Sequence, residues 1–384
     1  MPVGRARGHP LRESVIGMPF SIVASSPLDL LTYVPELVGF EPRRSLVLVT
    51  LCGNTTGGTL RVDLPDGGHA ATDRVDFARA VVGIACKVRG ADALIPILFT
   101  DESCASGPPH AALFAALRTA ASAAGFAVHD ALFVAPDGWG RDSGVGGPRE
   151  ELDAAWRLRR LDPDSRRVRQ SPEQEASLPE VGAGQMERTM SALASLQAEE
   201  PGVDPVWFAE YAAQWDPGQI GPVSAALAAD LVSRPWARDV LLLTWAWGAS
   251  AGRRALRFQE QFSRGEPARD EQIAMALAGL GEMPRPSPER LEQGIALLRQ
   301  VAARLHETER APCLTAVAWL NWALGRSSVA GELVRRARKA DGEYGFAELM
   351  ETMLERGLLP DWAFRAGSVG SAGTIDRASR RRAR

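Results

Sequence analysis

The N-terminal part of the chain alternates between short apolar runs and longer segments with helical periodicity. Short runs rich in Val, Ile, Leu and Phe indicate buried strands, and helical segments between them are typical of layered α/β domains. The candidate strands are FSIVAS near residue 20, SLVLVTL near 45, TLRVDL near 59, ALIPILFT near 93 and AVHDALFVA near 127. The pattern predicts an α/β domain over residues 20–135, with a mixed sheet of about five strands and helices on its faces.

The connections between these runs predict the strand directions. GNTTGG, from Gly53 to Gly58, is too short for a crossover helix and is typical of a hairpin loop. The second and third strands should therefore be antiparallel. The other connections carry helical patterns, namely DLLTYVPELVG, DRVDFARAVVGIACKV and PHAALFAALRTAASAAG.

The α/β pattern ends near residue 135. Residues 136–184 are rich in Gly, Pro and charge, and include GWGRDSGVGGPRE and RRLDPDSRRVRQSPEQEASLPE. We interpret this segment as a polar linker because few apolar positions are available for a core. Residues 1–19 carry no periodic pattern and are interpreted as a flexible N-terminus.

From residue 185 onward every periodic segment is helical. Helices are predicted at 222–233, 238–248, 251–263, 269–280, 288–306, 311–324, 328–340 and 346–356. Ser287 is a candidate N-cap before Pro288, and Gly325 suits the position after a helix C-terminus. The short connections predict an all-α domain of stacked hairpins over 185–364, followed by a disordered Arg-rich tail at 365–384.

Aromatic residues recur at helical spacing in this second domain. Trp207, Phe208, Tyr211 and Trp215 belong to one such segment. Tryptophan carries a large apolar surface, so we interpret these residues as core or helix-packing positions. The tryptophans concerned are at 207, 215, 236, 245, 247, 319 and 322.

Composition and charge place the chain among ordinary globular proteins. Hydrophobic residues make up 45% and charged residues 24%, and 44 basic against 47 acidic residues give a formal net charge of -3. The whole chain therefore has no electrostatic bias toward nucleic acid or an anionic membrane. No apolar run approaches the roughly 20 residues of a membrane-spanning helix, and the start lacks a signal-peptide pattern.

The cysteines and histidines show no metal-ligand spacing. Cys52, Cys86, Cys104 and Cys313 never approach CxxC spacing, and the five histidines are scattered. We interpret the cysteines as free, buried thiols in a reducing compartment. The sequence therefore predicts a cytoplasmic protein without a structural metal.

Two stretches resemble a known family. PLDLLTYVPELVGFEPRRSLVLVTL, followed by LRVDLP, resembles the N-terminal signature of an uncharacterised actinobacterial family, domain of unknown function 4192. CLTAVAWLNWALGRSSVAGELVRRARKADGEYGFAELMETMLERGLLP resembles the closing helices of that family. The resemblance implies a bacterial intracellular protein with an α/β domain followed by helices, and it implies no reaction. APDGWGRDSGVGGPRE departs from the pattern, because a cysteine-bearing segment is expected there in relatives.

Acidic residues follow three of the predicted strands. Ligands of open α/β sheets bind outside the carboxyl ends of strands, so Asp101 and Asp137 are candidate ligand-binding residues. Asp63 joins them unless its strand, as the antiparallel one, ends at the opposite edge. Clustered carboxylates can hold a divalent cation. The alternative is that these acids cap helices and turns.

Arg61 and Asp63 lie two residues apart on one predicted strand, so their side chains point to the same face. A guanidinium held by a neighbouring carboxylate could present its remaining donors to a phosphate or carboxylate ligand. The alternative is a structural ion pair that fixes the strand against GFEPRRS, in which Arg43 and Arg44 are the nearest other cations.

The sequence offers no recognisable catalytic set. The phosphate-binding patterns GxxxxGK[ST] and GxGxxG do not occur, and we assign no catalytic residue, metal site or cofactor. We therefore predict a nonenzymatic interaction or scaffold protein that binds a protein partner or its own copy through the helical domain. The alternative is a binder of an anionic metabolite or nucleotide, or an enzyme, that uses the strand-end carboxylates and Arg61. No membrane contact is predicted, and nucleic-acid binding is limited to weak nonspecific contact by the Arg-rich tail.

Overall fold

The structure of the protein is a computed structural model that describes residues 24, 26–53, 55–64, 71–162, 171–199, 202–267 and 270–364. These residues divide into two compact units. The first contains the described residues up to 38 and 42–162, and the second contains 39–41 and 171–364. The predicted flexible N-terminus, the predicted Arg-rich tail and all of the predicted strand FSIVAS except Ala24 lie outside the described residues.

The first unit is built on one mixed sheet. Its strands are β1 Ser45–Cys52, β2 Thr55–Asp63, β3 Ala93–Phe99, β4 Ala127–Val128, β5 Leu132–Val134, β6 Gly138–Arg141 and β7 Gly144–Pro148. The strand order is β2-β1-β3-β5-β6-β7, and β4 also pairs with β3. The predicted mixed sheet is confirmed, with seven strands in place of about five.

The strand directions follow from the lengths of the connections. β1 is antiparallel to both β2 and β3, as the short hairpin loop predicts for the first of these pairs. β3 is parallel to β4 and β5, which are reached through a helix. β5, β6 and β7 are successively antiparallel.

Helices cover both faces of the sheet. They are α1 Pro27–Val38, α2 Ala71–Ala85, α3 Ala111–Ala123 and α4 Arg149–Arg160. Successive strand side chains point to opposite faces, so β1 contributes Leu46 and Leu48 to the core under α2 and α3. Its Val47 and Val49 belong to the opposite core, under α1 and α4. The strand is buried on both faces, which explains its continuous apolar run.

The predicted linker over residues 136–184 is wrong for residues 138–160, which form β6, β7 and α4. Glycine in β7 serves packing: a Cβ at Gly146 would lie 2.7 Å from the ring of Trp139, and one at Gly147 would lie 3.0 Å from its Nε1. The buried Trp139 ring therefore lies directly against the backbone of β7. The glycines that resembled a loop make room for a tryptophan in the core.

α4 is amphipathic in spite of its many charges. Leu152 and Trp156 are its buried residues, and Trp156 Nε1 donates to the carbonyl of Leu31 at 3.0 Å. Arg159 forms an ion pair with Glu36 at 2.6 Å, so α4 is tied to α1 at two points. Two buried side chains were too few to identify a core-facing helix from the sequence.

The end of the predicted linker belongs to the helical unit. A short helix, α5 Pro172–Glu175, begins with a capping box formed by Ser171 and Gln174. Ala176 behind it is buried, and its carbonyl accepts a hydrogen bond from Arg336 Nη1 at 2.8 Å. Residues 163–170, which complete the predicted linker, lie outside the described residues.

In its described residues, the regular secondary structure of the second unit consists of helices. Its longer helices are α6 Ala183–Glu199, α7 Pro205–Ala212, α8 Pro222–Ser233, α9 Pro235–Ser263, α10 Glu271–Leu277, α11 Pro288–Ala303, α12 Ala311–Ala323, α13 Ser327–Ala340 and α14 Gly345–Glu355. Helices α11, α12, α13 and α14 pack against one another in chain order, which confirms the predicted stacked hairpins. The Ser287 cap is also confirmed, because its hydroxyl accepts from the Arg290 N–H at 3.3 Å. In the described part of the chain, no helix combines the length and apolar character required to cross a membrane.

α9 contains the two helices predicted at 238–248 and 251–263, which are separated by a kink at Gly248. Gly248 at the kink has φ 81° and ψ 179°, a conformation that strongly favours glycine. Two carbonyl groups before the kink accept hydrogen bonds from residues outside α9. Thr244 O accepts from Arg290 Nη2 at 3.0 Å, and Ala246 O accepts from Ser287 N at 3.1 Å. The start of α11 therefore satisfies backbone acceptors at the kink.

Buried tryptophans dominate the core of the helical unit. Trp245, Trp319, Trp322 and Trp362 are its largest fully buried side chains. Trp362 follows α14 and contacts Trp322 edge-on, with 6.0 Å between ring centroids. Its Nε1 donates to the carbonyl of Ala323 at 3.1 Å. The residues after α14 thus complete the core.

We expect Trp362→Ala to lower the free energy of unfolding of the helical unit by about 3–5 kcal/mol, because it leaves a large cavity and an unpaired carbonyl at Ala323. The control is Trp236→Ala, which removes an exposed tryptophan and should change stability by less than about 0.5 kcal/mol. Urea unfolding followed by circular dichroism measures both. Equal effects of the two substitutions would contradict the core role of Trp362.

Candidate functional site

The ends of three strands meet at one edge of the sheet, which we call the carboxyl edge. Ser45, the first residue of β1, pairs with Asp63 at the end of β2 and with Phe99 at the end of β3. Phe99 in turn pairs with Val134 at the end of β5. β1 is the strand of opposite direction, so Asp63 lies at the same edge as Asp101 and Asp137.

Arg61 and Asp63 form an ion pair at this edge. Arg61 Nη2 also donates to the carbonyl of Arg43 at 3.3 Å, so the guanidinium ties β2 to the turn before β1. The side chain of Arg61 is only 13% exposed, whereas that of Asp63 is 75% exposed. This geometry matches the structural ion pair that was the alternative to ligand binding.

Asp101 lies on the other side of the same turn. Its carboxylate is 3.7 Å from Nε of Arg44, and both side chains are well exposed. An exposed pair at this distance contributes little to stability, so both groups remain accessible to solvent. The structure therefore brings Arg61, Asp63 and Asp101 around the turn of Arg43 and Arg44.

Asp137 connects the two loops that follow β3 and β5. It accepts hydrogen bonds from the Ser103 hydroxyl at 2.5 Å and from the Cys104 N–H at 2.9 Å. These bonds lower the pKa of Asp137 from its ordinary value of 3.8 to about 2. The carboxylate thus acts as a loop cap, the role that the alternative interpretation predicted for strand-end acids.

The carboxyl edge also contains a histidine contact that sequence reasoning missed. His110 Nε2 lies 2.7 Å from the hydroxyl of Thr100 and 3.6 Å from a carboxylate oxygen of Glu102. Both partners meet the same ring nitrogen, whereas a catalytic relay has the carboxylate on Nδ1 and the nucleophile on Nε2. Ten residues separate Thr100 from His110, so no local motif could have indicated the contact.

Backbone strain is concentrated at this edge. In the described residues, Arg44 and His110 are the non-glycine residues with positive φ, at 39° and 55°. Such conformations are costly and are frequent at functional sites. Arg44 faces Asp101 and His110 faces Glu102, so both strained residues contact the loop that follows β3.

The cysteines differ in exposure, although all four are free. Cys104 and Cys313 are buried, and burial raises the pKa of the Cys313 thiol to about 12. Cys86 is exposed and Cys52 is half-buried, so the expectation of buried thiols is wrong for Cys86. Across the described ranges, no group of three or more His, Cys, Asp or Glu side chains is arranged to hold a metal ion.

A serine in α9 is flanked by two glycines. Gly248–Gly252 reads GASAG and matches GxSxG, the pattern of a serine nucleophile between a strand and a helix. Here a helix precedes the serine, Ser250, instead of a strand. Both glycines have structural reasons: Gly248 forms the kink, and a Cβ at Gly252 would lie 2.1 Å from the Thr244 hydroxyl. The match is explained by the kink.

A second candidate site lies on α7 of the helical unit. Trp207, Tyr211 and Trp215 form a series of ring contacts that we call the aromatic ladder. The centroids of Trp207 and Tyr211 are 5.0 Å apart with 12° between the ring planes, and those of Tyr211 and Trp215 are 5.6 Å apart at 86°. Trp207 is 56% exposed and Tyr211 is 48% exposed. Large aromatic rings therefore face solvent side by side.

The core interpretation is wrong for Trp207, and for Trp236, which is also exposed. The opposite side of α7 already supplies the core, through its buried residues Pro205, Val206, Phe208, Ala209 and Ala212. A short helix has one buried face, so the rings at 207 and 211 point away from it. Placing the small and branched apolar residues of α7 on one face could have revealed this from the sequence.

The described structure thus combines an α/β unit, whose carboxyl edge is tied by internal bonds, with a helical unit that exposes an aromatic ladder. Residues 27–141 match the family model described as Domain of unknown function (DUF4192), so this part of the chain is similar to that family. The predicted resemblance is confirmed over these residues; the C-terminal stretch lies outside the match. No curated protein and no solved structure matches the chain.

We expect Asp137→Asn to reduce the acid sensitivity of the fold. The pKa of Asp137 is lowered in the folded state, so its carboxylate contributes stability above its ordinary value of 3.8, and this is lost as pH falls through about 2. Urea unfolding at pH 5, 3 and 2 should show a smaller loss for the variant than for the wild type. Asp101→Asn is the control, and equal pH profiles for all three proteins would contradict the prediction.

We expect Arg61→Ala to lower the free energy of unfolding by about 1–3 kcal/mol through the loss of its nearly buried guanidinium. Asp63→Asn should cost less than about 1 kcal/mol, because that carboxylate is largely solvated. A thermal-shift screen with nucleotides, sugar phosphates and divalent ions separates the alternatives. A ligand that stabilises the wild type and not Arg61→Ala would show a binding site instead of a structural pair.

Proposed function

We propose that the protein is a nonenzymatic interaction protein, which binds a partner protein through the aromatic ladder of its helical unit. The observation that carries this proposal is the exposure of Trp207 and Tyr211 as a stacked pair. Tryptophan and tyrosine are the residues most enriched at the energetic centres of interfaces. A partner that covers these rings removes a large apolar surface from water.

The helix that carries the ladder is held by a cap and an ion pair, which favours a binding role. Asp204 caps α7 by accepting from Val206 N at 2.8 Å, and Pro205 occupies the first helical position. Glu210, next to Tyr211, forms an ion pair with Arg290. The rings therefore keep their arrangement before a partner arrives, and little conformational entropy is lost on binding.

A second candidate function is the binding of an anionic metabolite or nucleotide at the carboxyl edge. It is favoured by the positive φ of Arg44 and His110, which store backbone strain beside the loop after β3. The other groups at this edge are bonded to one another: Arg61 to Asp63, and Asp137 to Ser103 and Cys104. This internal bonding makes the interaction role the better supported one.

We further propose that the protein resides in the cytoplasm. The support is the state of its cysteines, because Cys52, Cys86, Cys104 and Cys313 are all free. Free thiols persist in the reducing cytoplasm, whereas exported proteins tend to carry disulfides.

Site-specific photo-crosslinking tests the interaction role. A photoreactive phenylalanine derivative replaces Tyr211 in one full-length chain and Leu349, an exposed residue of α14, in a control chain. In cells of the source organism, the first position should crosslink to a distinct polypeptide that the control position does not capture. The identified polypeptide, once purified, should bind Trp207→Ala about tenfold or more weakly than the wild type.

Identical crosslinks from both positions, or equal binding by the wild type and Trp207→Ala, would refute the role of the ladder. A crosslink between two copies of this chain would assign the ladder to self-association.

A further inference from the structure

The aromatic ladder lies in a stretch of chain that carries acidic residues and no basic ones. Lysine and arginine are absent between Arg188 and Arg234. Within this stretch Asp204 and Asp216 are exposed and stand before and after the ladder. This stretch of the sequence therefore carries a net negative charge.

These two carboxylates are fixed in place by backbone contacts. Asp204 accepts from Trp207 N at 3.3 Å, at the first residue of the ladder. Asp216 accepts from Gly218 N at 2.9 Å, directly after Trp215. Within residues 204–216 the one other acid, Glu210, is paired with Arg290, so the negative charge beside the rings comes from the two caps. The negative charge is thus held at both ends of the ring series.

Exposed indole and phenol faces flanked by carboxylates suit a cation with a flat apolar surface. The guanidinium of arginine stacks on aromatic rings, is weakly hydrated and donates hydrogen bonds to carboxylates. We propose that the ladder binds an arginine-containing segment of a partner protein, an inference that rests on the proposed function. The arginines stack on Trp207 and Tyr211 and donate to Asp204 and Asp216.

The same charges disfavour other occupants. Nucleic acids and anionic membranes present phosphates, which the carboxylates at the ends of the ladder repel. A purely apolar partner would leave Asp204 and Asp216 near its rim without a counter-charge. An arginine-containing segment can both stack on the rings and pair with the carboxylates.

Peptide binding to the full-length chain tests the inference. The probe is a fluorescently labelled peptide of alternating arginine and serine, and its matched control has citrulline in place of arginine. Citrulline keeps the planar shape and removes the charge. Fluorescence anisotropy should show binding of the arginine peptide alone, and binding should weaken steeply between 50 and 200 mM salt.

Variants of the chain locate the site of binding. Trp207→Ala should weaken arginine-peptide binding about tenfold, through loss of the stacking surface. Phe262→Ala, which removes an exposed aromatic ring of α9, should leave it unchanged. The double variant Asp204→Asn/Asp216→Asn retains cap acceptors and removes both charges, so it should weaken binding several-fold and flatten the salt dependence.

Equal binding of the arginine and citrulline peptides, or equal effects of Trp207→Ala and Phe262→Ala, would overturn the inference. The inference would also be overturned if the arginine peptide bound a chain that lacks residues 365–384 but did not bind the full-length chain. In that case the chain's own C-terminal arginines would occupy the ladder. A crosslinked partner that binds without salt dependence would overturn the arginine inference alone and leave the proposed function standing. Absence of both a crosslinked partner and peptide binding would refute both.

Discussion

The direction of β1 determines which groups meet at the carboxyl edge. β1 begins where β2 and β3 end, so the turn of Arg43 and Arg44 is inserted between two strand ends that carry acids. The arginines of this region then pair with carboxylates one by one, as Arg61 does with Asp63 and Arg44 with Asp101. Acidic groups that would attract a divalent cation in a fully parallel sheet are instead neutralised locally.

The parts of this fold that strong periodicity marks could be predicted from the sequence. Continuous apolar runs such as SLVLVTL require burial on both faces, and capped helices such as α11 carry their own boundaries. β6 and β7 could not be predicted, because the glycines of β7 resemble a loop in the sequence. Their actual role is to let the backbone lie against the Trp139 ring. At the site, Arg61 and Asp63 were paired from strand spacing alone, whereas the contact between His110 and Thr100 arises only in the folded chain.

The helix that carries the aromatic ladder is connected to the kink of α9 through Arg290. At the kink of α9, the carbonyl of Thr244 accepts a hydrogen bond from the guanidinium of Arg290. The same guanidinium forms an ion pair with Glu210 on α7. The spacing of the aromatic residues predicted the helix that carries Trp207 and not its outward face, because the opposite face of α7 also carries apolar residues and supplies the core. One arginine thus connects the kink of α9 to α7, the helix that carries Trp207 and Tyr211.

The β6–β7 hairpin restricts how this protein can vary over evolutionary time. The backbone of Gly146 and Gly147 lies against the Trp139 ring, and a Cβ at Gly147 would also lie 2.3 Å from a carboxylate oxygen of Glu151. A larger residue at either glycine therefore requires a smaller side chain at position 139. Ser143, exposed at the turn, is under no such restriction. In relatives that retain the hairpin, positions 139, 146 and 147 should change together or remain the same.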